Sequence, residues 1–251
     1  MRGAVLVTGG ARRIGREICL KLSSEGFSVA IHYRNSERDA SQLADEIESK
    51  GGKACFIHCD LNDTASVREM IQKSTESLGE VVGIVNNASY FAFDRIENLS
   101  EEDWLEHMKV NAFAPLTLIG ELAKSTSRKS WVVNVLDFKV ESPNADYLSY
   151  TSSRFVMYGL TSALAIDLAP GIRINSVAPG HVLTSDVLDE DSLKLVQSQS
   201  PLGFGPSVKD VADAVTFLAT SASITGQTIF VDSGERFRQR KHDPVFGKES
   251  V

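Results

Sequence analysis

The stretch VTGGARRIG at residues 7–15 decides how the chain folds. A short apolar run at residues 4–7 ends there as a predicted strand. Residues 16–25 follow, with Ile18, Leu20 and Leu22 set among Arg16, Glu17 and Lys21 as on a helix. A strand, a tight glycine turn and a helix N-terminus make a diphosphate site, because backbone N–H groups and the helix dipole both face the anion. Only Gly9, Gly10 and Gly15 are present, so the G-x-G-x-x-G fingerprint is not met. A strand–helix connection that needs glycine only for its backbone angles also fits the spelling. Position favours the nucleotide: a second apolar strand at residues 27–31 follows at once, as a mononucleotide-binding half requires.

The 251 residues suffice for one large α/β domain with a substantial core, and no linker or low-complexity block divides them. A hydrophobic content of 42% is that of an ordinary globular protein. The net charge of −7 argues against nucleic acid or an anionic membrane as a general partner. Positive charge is local. Arg12, Arg13, Arg16 and Arg34 lie near the glycine turn, whereas Arg236, Arg238, Arg240 and Lys241 mark the C-terminal tail. The tail is expected to be a solvated, partly ordered end, with an oligomer contact as the alternative. There is no apolar run long enough to span a membrane and no signal-peptide layout. Cys19, Cys55 and Cys59 form no zinc-like set with histidine, so buried reduced thiols, no metal site and a cytoplasmic location are expected.

Apolar runs recur at residues 4–7, 27–31, 54–57, 82–85, 131–135, 172–177 and 228–231. Between them, segments such as 40–50 and 66–78 carry apolar residues at helical spacing. This alternation predicts βαβ units: a doubly wound, mostly parallel sheet of about seven strands with helices on both faces. Ligands then bind beyond the strand C-termini, where the notable residues gather. Arg34-Asn35-Ser36 follows the second strand with no acidic residue at 33–36 to hold a free ribose 2′-hydroxyl, which favours a 2′-phosphate and hence NADP over NAD. A solvated turn arginine is the plainer account of Arg34. Asn86-Asn87-Ala88-Ser89 ends the fourth strand, Asn111 falls in an amphipathic stretch at 103–118, and Asp137 follows the fifth strand. Tyr150 and Arg154 are four apart and share a helix face, and a tyrosine is a competent proton donor when a cation lowers its pKa. Pro179-Gly180 follows the sixth strand. Singly, each has a plain reading as a cap, a helix-face ring or a snorkelling arginine. Their joint placement at strand ends is what those readings do not explain.

As an ordered set, TGGARRIG at 8–15, HYRNS at 32–36, CDL at 59–61, NNAS at 86–89, Asn111, VLD at 135–137, YTSSR at 150–154, PG at 179–180 and TGQTIFVDSG at 225–234 resemble the short-chain dehydrogenase/reductase superfamily. Within it, the chain is most similar to pteridine reductases and dihydromonapterin reductases. Three details favour that subgroup: Arg13 where most of the superfamily has its second glycine, Asp137 in place of the strand-end serine, and an aromatic near Phe91 after NNAS.

The resemblance implies a single Rossmann-type domain over residues 1–235, with a basic tail at 236–251. It also implies NADP(H), a homotetramer and a small-molecule substrate. The diphosphate would lie on Gly9, Arg12, Arg13, Ile14 and Gly15, and the 2′-phosphate near Arg12, Arg34 and Ser36, with Tyr33 and Asn35 in the same turn. Asp60 and Leu61 would border the adenine, Asn87 and Ala88 the adenine-side ribose, and Pro179 and Gly180 would wall the cofactor. Tyr150, Arg154, Asp137 and Asn111 would be catalytic, with Asn111 holding a water. Ser89, Phe91 and Arg13 would meet the substrate, covered by residues 181–207. His32 is expected only as a polar wall residue, and neither it nor His181 as catalytic.

The superfamily pattern is Tyr-x-x-x-Lys, and this chain has Arg154. Arginine keeps the charge but is planar, bulkier and unable to release a proton. Three readings follow: a reductase of a C=N bond, whose nitrogen is more readily protonated than a carbonyl oxygen; a reductase of a 3-oxoacyl thioester or sugar ketone; and an NADP(H)-binding sensor or scaffold with little turnover.

Overall fold

The computed structural model describes residues 2–184 and 188–244. Strands and helices alternate from the start. β1 (Ala4–Val7), α1 (Arg13–Ser24), β2 (Ser28–Tyr33), α2 (Glu37–Ser49), β3 (Ala54–His58), α3 (Thr64–Leu78) and β4 (Val81–Asn86) form the first half. The second half runs α4 (Glu101–Met108), α5 (Ala114–Ser125), β5 (Ser130–Val135), α6 (Leu148–Asp167), β6 (Ile172–Pro179), α7 (Glu190–Ser198), α8 (Val208–Thr220) and β7 (Thr228–Val231). Each apolar run named from sequence is a strand, extended at its ends by up to two residues or, at residue 27, shortened by one. All seven strands are parallel, in the order β3-β2-β1-β4-β5-β6-β7.

The central strands are buried on both faces, so they read as continuous apolar runs. Side chains still alternate. Val5 and Val7 join Ile18 and Leu22 of α1, Leu43 and Ile47 of α2, and Val211, Val215 and Leu218 of α8. Ala4 and Leu6 join Val67, Met70 and Ile71 of α3 with Leu118, Ile119 and Leu122 of α5 on the other face. Each such buried Val, Leu, Ile or Met side chain contributes about 1.5–3 kcal/mol. The order reverses between β1 and β4, and the loops beyond their C-termini open the crevice where ligands bind in such sheets.

Three expectations are corrected. First, α1 begins at Arg13, three residues before the start read from its apolar pattern, because the turn closes directly into helix. Second, the helical stretch around Asn111 is continuous but not regular α-helix: Asn111 lies in a π-helical segment, Lys109–Phe113, that joins α4 to α5. Third, the described part of the tail is not a solvated end. Ala145 N–H donates to the Lys241 carbonyl at 2.9 Å, Asp243 N–H donates to Asp146 Oδ2 at 2.6 Å, and Asp243 is buried. The tail arginines are engaged as well: Arg236 pairs with Asp232 at 2.8 Å and Arg240 with Gln199 at 2.6 Å. Residues 245–251 lie outside the described residues. Of the thiols, Cys19 and Cys59 are buried, Cys55 is half-buried, and all are free.

Candidate active site

The β1 turn is built around two side chains from neighbouring strands. His32 at the end of β2 accepts the Gly9 N–H on Nδ1 at 2.9 Å, and its Nε2 meets the Cys59 carbonyl at 3.0 Å. These partners require the tautomer with the proton on Nε2. Burial lowers the His32 pKa to about 4, so the ring is neutral and can accept. Asn87 after β4 donates from Nδ2 to the carbonyls of Thr8 at 2.9 Å and Gly9 at 3.1 Å. Packing there is tight: a Cβ on Gly15 would stand 2.2 Å from the Gly9 carbonyl oxygen and 2.7 Å from Asn87 Nδ2. Arg13 adopts φ 53°, the left-handed region usually left to glycine, and its guanidinium donates to the Thr184 carbonyl at 2.7 Å. The first turn of α1 has no side-chain cap and no acidic residue, so its N–H groups and dipole face the cleft beside Arg12 and Arg13.

At the other end of the cleft, α6 carries Tyr150 and Arg154 one turn apart. Asp94 anchors its first turn, accepting the Ser149 N–H on both carboxylate oxygens at 3.1 and 3.2 Å. The Tyr150 hydroxyl donates to Asp137 Oδ2 at 2.9 Å, and the other oxygen of Asp137 accepts the Lys139 N–H at 2.9 Å. Burial and then the charge of Asp137 push Tyr150 well above the usual phenol range, outweighing the opposite pull of Arg154. Arg154 is itself buried. Its Cζ lies 5.0 Å from the centre of the Tyr150 ring, its Nη1 donates to the Val135 carbonyl at 3.2 Å, and its Nε has no hydrogen-bond partner among the described residues. The Phe91 ring stands edge-on to Tyr150 with centroids 4.7 Å apart, and stacks on Tyr147 at 4.3 Å.

One cleft of about 570 Å³ joins the two ends. Gly9, Arg12, Arg13, Ile14, Gly15 and Arg34 line it on the β1–β2 side. Asp60, Leu61, Asn87, Ala88, Ser89 and Phe91 line its middle, and Asp137, Tyr150, Arg154, Pro179 and Gly180 the far end. Four expected residues stand outside this lining. Tyr33 is buried against Phe56 and His58, while Asn35 and Ser36 lead into α2. Asn111 is buried behind Tyr90, accepting its N–H at 2.7 Å and donating to its carbonyl at 2.9 Å and to Ser153 Oγ at 3.0 Å. Those bonds to protein make Asn111 a tie between the β4 loop and α6. Arg12 is also less free than expected, since its Nε donates to Asp39 at 2.7 Å.

Sequence reading missed Lys139, Tyr147 and Asp243, which also line the cleft. It also gave no chemical role to His181. Tyr147, at φ 59° on the N-terminal edge of α6, is the one with a local signal, standing three residues before Tyr150 and beside the helix start. Of the expected cover, residues 181–183 and 188 reach the cleft, and 185–187 lie outside the described residues.

Comparison with known proteins adds to this geometry. The profile of the family described as enoyl-(acyl carrier protein) reductase matches residues 9–235. The chain is similar to a 3-oxoacyl-[acyl-carrier-protein] reductase, FabG, of Staphylococcus aureus, with 30% identity over 241 residues, 93% of this chain and 98% of the relative. Among solved structures it is similar to FolM alternative dihydrofolate reductase 1 from Brucella canis, complexed with NADP. There the TM-score is 0.91 and the identity 35%, covering 94% of this chain and 95% of that one. A blue fluorescent protein from a metagenomic library, in complex with NADPH, is also similar, with TM-score 0.85, 31% identity and coverage of 93% and 97%.

Proposed function

The chain belongs to the short-chain dehydrogenase/reductase superfamily, and from that premise we propose that it is an NADPH-dependent reductase acting on a C=N bond of a dihydropterin-type pteridine. The observation that carries this reading is the Tyr150–Asp137 hydrogen bond of 2.9 Å beside the ring of Phe91. A flat, electron-poor heterocycle suits a slot walled by an aromatic ring.

The residues fit the cofactor. Gly9 and Gly15 let the turn close tightly on itself and on Asn87 and Ala88, the uncapped start of α1 suits a diphosphate, and Arg12 and Arg34 suit a 2′-phosphate. The buried Arg154 Nε is a donor that a ribose hydroxyl would satisfy. The NADP of the Brucella relative and the NADPH of the metagenomic one support the same cofactor.

When bound, NADPH would supply hydride for the C=N carbon, and the adjacent nitrogen would then need a proton. Tyr150 holds one throughout the neutral range, because burial and Asp137 oppose its ionisation. An imine nitrogen is more basic than a carbonyl oxygen, so it takes that proton from a donor less acidified than a Tyr–Lys pair would provide. Asp137 fixes the direction of the hydroxyl, and Arg154 supplies positive charge without itself releasing a proton.

Reduction of a 3-oxoacyl thioester is the second reading, favoured by the staphylococcal relatives. It asks for a hydroxyl donor where Asp137 stands. The sensor reading rests on Arg154 alone. NADPH consumption by the purified protein, with a 7,8-dihydropterin and a 3-oxoacyl thioester run in parallel, separates the three. Turnover of the pterin alone supports the proposal, turnover of the thioester alone replaces it, and NADPH binding without either points to the sensor. We further expect a cytoplasmic homotetramer, which light scattering on the purified protein tests for assembly.

A further inference from the structure

A second group of charged side chains lines the cleft: Lys139 from the turn after β5, His181 from the turn after β6, and Asp243 from the tail. Lys139 Nζ donates to Asp243 Oδ2 at 2.7 Å, and both residues are only 3% exposed. His181 donates from Nδ1 to Glu235 at 2.7 Å, and its Nε2 lies 3.9 Å from Asp243 Oδ1. Burying such charges costs free energy that pairing returns only in part, so folding alone would be served as well by apolar residues. The cluster also borders the reacting end. The Lys139 N–H holds Asp137, and Lys139 Nζ lies 4.7 Å from the centre of the Tyr147 ring on which Phe91 stacks.

We propose that Lys139 and Asp243 form the specificity site for the lactam edge of the substrate, making the C-terminal tail part of the substrate site. The Lys139 ammonium donates to a ring carbonyl, and the Asp243 carboxylate accepts from the adjacent ring N–H and exocyclic amino group. The inference rests on the pteridine reading above and names the part of the substrate that is gripped. A donor and an acceptor side by side match neighbouring C=O and N–H groups of a 2-amino-4-oxopyrimidine ring. An ammonium has three donors and a carboxylate about four acceptor positions, so each can serve a ligand and keep its partner. An acyl thioester offers no such edge.

The test uses the full chain saturated with NADP⁺, where no reduction can occur. Calorimetric titration with pterin is compared with quinoxaline, a flat bicycle without the lactam edge. Asp243→Asn and the paired Lys139→Met/Asp243→Leu variant, which strands no charge, are expected to lose about tenfold to a hundredfold in pterin affinity with NADP⁺ binding retained. Unchanged pterin affinity in both variants overturns the inference, as does a wild-type protein that does not bind pterin. Should the variants also lose NADP⁺, the wild type decides: equal affinity for pterin and quinoxaline overturns the inference, and a clear preference for pterin upholds it. Pterin binding that depends on Asp243 without dihydropterin turnover defeats the proposed reaction and leaves this site standing. Turnover with a KM indifferent to both variants does the reverse.

Discussion

Tyr150 is held as a proton donor by a contest of nearby groups. Burial and the Asp137 carboxylate raise its pKa, and Arg154 lowers it without prevailing. The arrangement suits reduction, which consumes a proton, better than oxidation, which needs the tyrosinate as base. Tyr150→Phe is therefore expected to lower kcat by about 10²–10⁴-fold while NADPH affinity, read by fluorescence titration, stays nearly unchanged. Unchanged turnover would end the donor role. On the β1–β2 side of the cleft, Arg12 shares its charge with Asp39, whereas Arg34 stands exposed on the cleft wall. A carboxylate there repels a phosphate and can hold a ribose hydroxyl. Arg34→Asp should thus weaken NADPH far more than NADH, and an equal loss for both would refute the 2′-phosphate assignment.

Between residue and fold lies the β1–turn–α1 unit, where Arg13 does two things at once. Its left-handed backbone costs about 1–2 kcal/mol in a residue with a Cβ, and its side chain bridges to the Thr184 carbonyl across the cleft. Arg13→Gly removes the strain, but glycine loses roughly 0.5–1 kcal/mol more in chain entropy on folding, so the net change is small and, if anything, stabilising. Thermal melting should therefore move little, while the substrate KM rises because the bridge to the cover segment is gone. A large fall in Tm with an unaltered KM would show that the bridge serves stability alone. The turn itself was legible, since Gly9 and Gly15 sit between an apolar run and a helical pattern. The π-helical segment around Asn111 was not. It shifts the helical register over only five residues, too few to alter the spacing of apolar positions.

Across the whole molecule, legibility followed sequence distance. Every strand was visible because each is a local apolar run, and the residues at the strand ends followed from the doubly wound order. The Lys139–Asp243 pair spans 104 positions and the His181–Glu235 pair 54, and no local pattern announces either. These pairs have a consequence for stability. Burial alone would lower the His181 pKa, but Asp243 and Glu235 outweigh it and raise the value from 6.5 to about 9, with Lys139 and Arg240 the nearby cations. The folded protein therefore binds this proton more tightly than the unfolded chain does. The resulting stabilisation is complete below pH 6.5, declines as pH rises, and is lost above about pH 9. It amounts to something on the order of 3 kcal/mol. Asp243, held below the usual carboxylate range, acts in the opposite sense in acid, its contribution fading as pH falls under 3.8. Urea unfolding of the wild type should thus show a falling midpoint between pH 6.5 and 9, and His181→Gln should flatten that slope and also shrink the acid limb, because His181 and Lys139 together hold Asp243 down. A wild-type midpoint constant across this range would mean that His181 is neutral in the folded state, and the buried cluster would then carry one positive charge fewer beside the cleft.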